Sequence, residues 1–387
     1  MKSIKRVTVY KFISGFFLLL LITPNVGLLR EKTNVIHIAL MENRTINPKP
    51  EAVFATGKFF KELEAWYDDR LLGRKDLISK WAMWNGRLFD VLISKNVVRG
   101  KEGFLFSPAN MAHEMADKEI KLTKIKKIEQ QCAKRGIRFV FMMTPNSELV
   151  LSDLFEKEYP PIDLPVAEET TMQDFKNYGI ETCFVGKELI RHSLEERKNM
   201  YHSGDYHWTN AAGYIAAKKF LHQVGYAENI DIPVKQIKNV SKAGIYYRDA
   251  GLETKEDVRY YPWSDRFTDK FYVTDSRDKD LAHAKLSKGM GEYGQYGEDI
   301  VINNNVNNKR RILILGDSFA GCLKLYLLQD VHMIIFSHSR DLHKEKGRID
   351  IQYMLDRYKP DVVLFQKMEA FGYRESFEEM LGNIYVE

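Results

Sequence analysis

A chain of 387 residues, 44% of them hydrophobic, has apolar material for one large core or two modest ones, so disorder is not its default state. Its formal charge of +5 is small for this length and draws partly on basic residues at the extreme N-terminus, which leaves no footprint for DNA or RNA, and no nucleic-acid partner is expected. Cys132, Cys183 and Cys322 form an odd set without C-x-x-C spacing, which argues against both a disulfide framework and a zinc site.

At the N-terminus Lys2, Lys5, Arg6 and Lys11 precede an uncharged run from Phe12 to Leu29, densest at Phe16-Phe17-Leu18-Leu19-Leu20-Leu21-Ile22. A basic start followed by an apolar run directs export with the N-terminus inside. The run is close to the roughly 18 residues that span a bilayer, Pro24 interrupts it, and no clear small-x-small cleavage site follows Ile22. An uncleaved signal anchor is therefore expected over 1–30, with a cleaved signal peptide as the alternative. The protein would sit at the cell membrane with its globular part outside the cytoplasm, in the periplasm or at the cell surface.

A membrane-proximal lead-in is expected over 31–110, with a helix through Phe59–Tyr67. An α/β pattern follows over 111–387. Ile125, Ile128 and Cys132 recur at helical spacing, Gly136 stops that helix, and Ile137–Met143 reads as a strand. Thr170–Tyr178 and Thr182–Val185 repeat the unit. The stretch 241–309, rich in Tyr, Asp, Lys and Asn, reads as an insertion. Beyond it Arg311–Leu315, Val331–Phe336 and Asp361–Gln366 read as strands alternating with helices Phe319–Gln329 and Ile349–Tyr358. Such alternation predicts an α/β fold with a parallel sheet covered by helices on both faces.

Sites in such sheets gather at the carboxyl ends of strands, where Ser318 and Asn146 both fall. Ser318 stands in a Gly316-Asp317-Ser318 turn between a strand and a helix, a geometry that exposes a nucleophile. A serine hydroxyl needs a histidine to take its proton and a carboxylate to orient that imidazole, and Asp205-Tyr206-His207-Trp208-Thr209 supplies both. Ser318, His207 and Asp205 are thus a candidate triad, with free backbone N–H groups at the start of the Phe319–Gln329 helix as its oxyanion site. Each half alone is equally well read as a capped turn before a helix; the joint occurrence carries the catalytic reading. Asn146 is an oxyanion candidate, Arg340 a candidate for steadying substrate, and Tyr206 and Trp208 candidate platforms for a sugar ring. A turn signal, a surface ion pair and loop packing are their respective plain alternatives. His202, Asp205 and His207 lack a metal-binding motif, and no phosphate loop is present, so neither metal nor cofactor is expected.

The Asp205-x-His207-Trp208-Thr209 and Gly316-Asp317-Ser318-Phe319 motifs resemble those of the alginate O-acetyltransferase AlgJ/AlgX family, whose SGNH-hydrolase-like domain carries Asp and His before Ser, permuted relative to ordinary SGNH hydrolases. Glu42-Asn43-Arg44 with Pro50, Asp69-Arg70 with Arg74, Lys101-Glu102-Gly103-Phe104-Leu105-Phe106, Thr144-Pro145-Asn146 and Lys359-Pro360-Asp361-Val362-Val363 extend the resemblance over most of the chain from Glu42. Ser147 departs from it, standing where the family usually has Lys. The resemblance implies an O-acetyltransferase of an extracellular or cell-surface polysaccharide, alginate-type, working through an acetyl-serine. It also implies a membrane-bound O-acyltransferase partner as acetyl donor. A carbohydrate acetyl esterase using the same residues, and a noncatalytic polysaccharide-binding component of an export machine, remain the alternatives.

Overall fold

The computed structural model describes residues 2–22, 45–51, 57–74, 97–111, 118–157, 161–226, 235–242, 244–250, 256–263, 291–293, 299–303, 306–338, 349–368, 381–382 and 384–386, with 54, 77, 80, 81, 84 and 85 singly. The chain divides into two units, Met1–Ile93 and Ser94–Glu387.

The first unit holds helices α1 (Lys2–Ile22) and α2 (Gly57–Asp68). The uncharged part of α1, Phe12–Ile22, rises only about 16 Å, against about 30 Å for a bilayer's hydrocarbon core. Among the described residues no helix is long and apolar enough to cross a membrane. The remainder of the apolar run, 23–29, lies outside them, as do Glu42-Asn43-Arg44. After α2, Asp69 and Arg70 hold Asn47: Asp69 Oδ2 accepts from its backbone N–H at 2.8 Å and its Nδ2 at 2.7 Å, and Arg70 donates to its carbonyl at 3.0 Å.

The second unit is built on one sheet. Among the described residues its helices of eight residues or more are α3 (Lys118–Ala133), α4 (Leu164–Asn177), α5 (Asn210–Val224), α6 (Ala320–Leu327) and α7 (Ile351–Tyr358). Among the described residues its strands of three residues or more are β1 (Arg138–Thr144), β2 (Thr182–Phe184), β3 (Lys235–Lys242), β4 (Glu256–Trp263), β5 (Gly291–Tyr293), β6 (Asp299–Ile302), β7 (Arg311–Gly316), β8 (Met333–His338) and β9 (Val362–Met368). The sheet order is β2-β1-β9-β7-β8-β6-β5, while β3 and β4 pair separately as an antiparallel hairpin.

The expected parallel sheet is therefore a mixed one. From β2 to β8 every pairing is parallel, but β6 pairs antiparallel with β8 and β5 antiparallel with β6. Both added strands come from the 241–309 stretch. They are too short for a clear alternation signal, with Ile300 and Val301 as the buried residues of β6.

Strand residues alternate between two cores. Val140, Met142, Ile312, Ile314, Ile334, Val362 and Leu364 face one cluster together with Ala216, Phe220 and Leu323 of α5 and α6. Phe139, Phe141, Leu313, Leu315, Ile335, Val363 and Phe365 face the other with Ile125, Ile128, Phe175 and Met354 of α3, α4 and α7. Helices thus cover both faces, and each large apolar side chain so buried contributes about 1.5–3 kcal/mol. The Ile125, Ile128 and Cys132 spacing of α3 is its buried stripe, and Gly136, at φ 68°, takes the left-handed conformation that ends the turn after it.

A candidate active site at the carboxyl edge of the sheet

Parallel register brings the carboxyl ends of β1, β9 and β7 to one edge, with Met368 opposite Thr144 and Phe365 opposite Leu315. There β7 ends in Gly316, where a Cβ would lie 2.8 Å from Gln366 Oε1 and 3.0 Å from the Cβ of Ala320. The missing side chain lets α6 begin immediately against the strand.

The turn is wired to β9. Gln366 Oε1 accepts from the Asp317 N–H at 3.1 Å and its Nε2 donates to Thr144 Oγ1 at 2.8 Å. The Asp317 carboxylate accepts from the N–H of Phe319 at 3.0 Å and of Met368 at 2.7 Å, with buried Lys367 Nζ at 3.6 Å. Burial pushes the Lys367 amine down, and the adjacent carboxylate opposes that shift. These bonds leave Ser318 partly exposed at the tip.

The second part of the site lies before α5. Thr209 caps that helix by accepting from the Ala211 N–H at 3.2 Å, and the preceding residues turn inward. His207 Nε2 lies 2.6 Å from Ser318 Oγ, and His207 Nδ1 lies 2.6 Å from Asp205 Oδ1. A carboxylate on Nδ1 fixes the proton there and leaves the Nε2 lone pair for the serine hydroxyl. Asp205 Oδ1 also accepts from the His207 backbone N–H at 3.1 Å, and Oδ2 from the Ile245 N–H at 3.3 Å. Both His207 and Asp205 are buried, so their mutual attraction is weakly screened.

The remaining sequence candidates fall differently. Tyr206 is half-buried and stacks on the His207 ring, centroids 4.2 Å apart. Trp208 is 1% exposed and its Nε1 donates to the Phe319 carbonyl at 2.9 Å, so the expected sugar platform is instead packed inside, its polar edge already paired. Asn146 is fully buried and its Nδ2 donates to the Asn110 carbonyl at 3.1 Å. Arg340 lies outside the described residues. The expected row of free amides at the helix start is also corrected. The N–H of Phe319 goes to Asp317 Oδ1, that of Ala320 to the Asp317 carbonyl and that of Gly321 to the Ser318 carbonyl, because the turn closes on itself before α6 begins.

Sequence reasoning missed a buried group behind the site. Glu148 Oε1 accepts from the Ser107 N–H at 2.9 Å and from the Tyr246 hydroxyl, and Oε2 accepts from Ser147 Oγ at 3.1 Å. Burial pushes the Glu148 carboxyl above the usual carboxylate range, against the pull of those donors. The available signal was an acidic residue followed by the apolar Leu149-Val150-Leu151, immediately after a strand end. Elsewhere burial raises the thiols of Cys132 and Cys183 to about 12, which makes them inert packing residues. Among the described residues no cluster of metal-ligating side chains occurs.

An α/β sheet with helices on both faces and Ser, His and Asp converging at its carboxyl edge has the form of an SGNH-hydrolase-like domain. Residues 97–275 match the family model described as the SGNH hydrolase-like domain of acetyltransferase AlgX. The match includes Asp205 and His207 and ends before Ser318. No curated protein matches the chain. Among solved structures it is similar to Bacillus cereus PatB1 with a sulfonyl adduct, at TM-score 0.56 and 16% identity over 73% of this chain and 99% of that one. It is also similar to a DHHW family protein from Eubacterium siraeum, at TM-score 0.55 and 16% identity over 75% of this chain and 96% of that one. The O-acetyltransferase domain of Pseudomonas putida AlgJ aligns at TM-score 0.43 and 14% identity over 72% of this chain and 93% of that one.

Proposed function

We propose that the protein is an O-acetyltransferase of an extracellular or cell-surface polysaccharide, alginate-type, working through an acetyl-serine on Ser318. The observation that carries the reading is the line Ser318 Oγ, His207 Nε2, His207 Nδ1, Asp205 Oδ1, with both gaps at 2.6 Å, inside a chain whose 97–275 segment is AlgX-like. Ser318 Oγ attacks the acetyl carbonyl of the donor while His207 Nε2 takes its proton. The tetrahedral intermediate expels the donor's leaving group, which receives that proton, and an ester on Oγ remains. A sugar hydroxyl then gives its proton to Nε2 and attacks the ester carbonyl; the bond from that carbon to Oγ breaks, Oγ takes the proton back from Nε2, and the acetyl group leaves on the sugar. In this reading Asp205 orients the ring and stabilises its charged form during both steps.

The acceptor is a polysaccharide, and the donor is presented by a membrane-bound O-acyltransferase partner. The location that suits both is the outer side of the cell membrane, with 1–30 as the attachment. Support for this part is the basic, apolar start of the sequence and the family resemblance.

The test supplies the protein with an activated aryl acetate together with uronic and neutral oligosaccharides, and follows both acetylated sugar and free acetate by mass spectrometry. Acetylated oligosaccharide should form faster than acetate, and an acetyl group should be trapped on Ser318. Acetate release indifferent to every acceptor, combined with stripping of a pre-acetylated polymer, would replace transfer by esterase action.

A further inference from the structure

Behind the candidate site the chain runs a second polar line that the proposed chemistry does not use. Glu148, Tyr246, Asn110 and Asn146 are all at most 4% exposed, and they come from three separate parts of the sequence, with Asn146 and Glu148 in the same turn. The Tyr246 hydroxyl donates to Glu148 Oε1 and accepts from Asn110 Nδ2 at 2.7 Å, and the Asn110 carbonyl accepts from Asn146 Nδ2 at 3.1 Å. The same Tyr246 reaches the acid–base loop by its backbone: its N–H donates to the Gly204 carbonyl at 2.8 Å, while the neighbouring Ile245 N–H donates to Asp205 Oδ2 at 3.3 Å. Its ring lies 5.9 Å from that of Tyr206, which stacks on His207. The fit is close, since a Cβ on Gly244 would lie 2.0 Å from the Gly204 carbonyl oxygen.

We infer that Tyr246 and Glu148 are positioning residues: their buried hydroxyl–carboxyl bond fixes Ile245 and Tyr246 against Gly204 and Asp205, and so sets the orientation of the carboxylate that holds His207. The inference rests on the triad reading proposed above. An aromatic side chain alone would fill the same space. The hydroxyl adds a fixed depth and rotation, because it must meet Glu148 on one side and Asn110 on the other. A buried carboxyl would be costly without donors, and here Ser107, Ser147 and Tyr246 supply them. Glu148 needs to act only as an acceptor toward Tyr246 and Ser107. A glutamine amide can do the same, with its Nε2 donating to Ser147 Oγ, since a hydroxyl accepts as readily as it donates.

The experiment uses the full chain and an activated aryl acetate, comparing kcat, KM, melting temperature and the rate of Ser318 modification by a sulfonyl fluoride. Tyr246→Phe should lower kcat and the modification rate by about tenfold to a hundredfold, the range expected when catalytic groups are slightly misplaced, with KM little changed. Glu148→Gln should restore kcat to within a few-fold of wild type. Glu148→Asp, one methylene too short to reach Tyr246, should fall to the level of Tyr246→Phe, and it serves as the test if Tyr246→Phe does not fold. Folded Tyr246→Phe or Glu148→Asp with wild-type kcat, whatever its melting temperature, would overturn the positioning role. The Ser318→Ala control separates the two readings. Turnover that survives it removes the triad and the positioning role together, whereas turnover lost there but kept in Tyr246→Phe removes the positioning role alone.

Discussion

The indole nitrogen of Trp208 donates 2.9 Å to the carbonyl of Phe319, and this bond ties the residue after the imidazole to the residue after the nucleophile. The two motifs are thereby latched to each other, and the centroids of the Trp208 and Phe319 rings lie 5.2 Å apart. The gap between His207 Nε2 and Ser318 Oγ is consequently governed by buried side chains rather than by loop conformations in solvent.

Trp208→Phe should therefore cost about 1–3 kcal/mol of stability, because it leaves the Phe319 carbonyl buried without this donor, and should lower kcat with little change in KM. Thermal melts and ester kinetics together check it. A raised KM for oligosaccharide with an unaltered melting temperature would point to the sugar platform instead.

Asp205→Asn keeps the size of the side chain but offers an amide to His207 Nδ1. The imidazole then loses both its preferred tautomer and the charge that stabilises its protonated form. A loss of about four orders of magnitude in ester turnover is expected, with a circular dichroism spectrum like that of wild type. Retention of even a tenth of the activity would sink the assigned role.

Gly204→Ala tests the packing of the acid–base loop. A Cβ there would stand 1.9 Å from the ring of Tyr247, so either the loop or that ring must move. Overpacking of this kind costs about 1–3 kcal/mol. The loop displacement should show as slower sulfonylation of Ser318 in protein that is still folded at the assay temperature.

Much of this fold is readable from the chain because both sheet faces are buried. The apolar runs Ile312–Leu315 and Val362–Phe365 fill two cores at once and stand out against any flanking sequence. The convergence of Ser318, His207 and Asp205 is readable because these residue types sit in short motifs at strand and helix boundaries. Glu148 and Tyr246 were hidden for the opposite reason: they are 98 residues apart and acquire meaning only when one donates to the other. The roles of Trp208 and the helix-start amides were misread because exposure and hydrogen-bond occupancy are properties of the folded turn. The last two strands at one end of the sheet, β6 and β5, were missed because so few residues cannot display a period.

Glu168 offers a pH test of the same domain. It is buried, its oxygens accept from the N–H of Gly186 at 2.6 Å and of Lys187 at 3.1 Å, and burial raises its pKa from 4.5 to about 7. The folded protein thus holds this proton more tightly than the unfolded chain. The resulting stability is fully present below about pH 4.5 and is lost as pH rises through about 7, an amount on the order of 3 kcal/mol for a shift of this size. The melting temperature of wild type relative to Glu168→Gln should fall across that interval. A constant difference would show that Glu168 keeps an ordinary pKa.

The strand order dictates when the turn that carries Ser318 becomes fixed. In the sheet β9 lies between β1 and β7, although it follows both in the chain, so the early pair β2-β1 meets the later strands only when β9 inserts. The same strand brings Gln366 and the Met368 amide to the Asp317 turn. A chain folding as it is delivered therefore passes through states in which Ser318 is already present but its turn is not yet held. Closure of the sheet completes the hold on Ser318, and such long-range pairing is among the slower events of folding. During refolding, labelling of Ser318 by a sulfonyl fluoride should lag behind amide protection in β1. Labelling that precedes that protection would show the serine turn forming on its own.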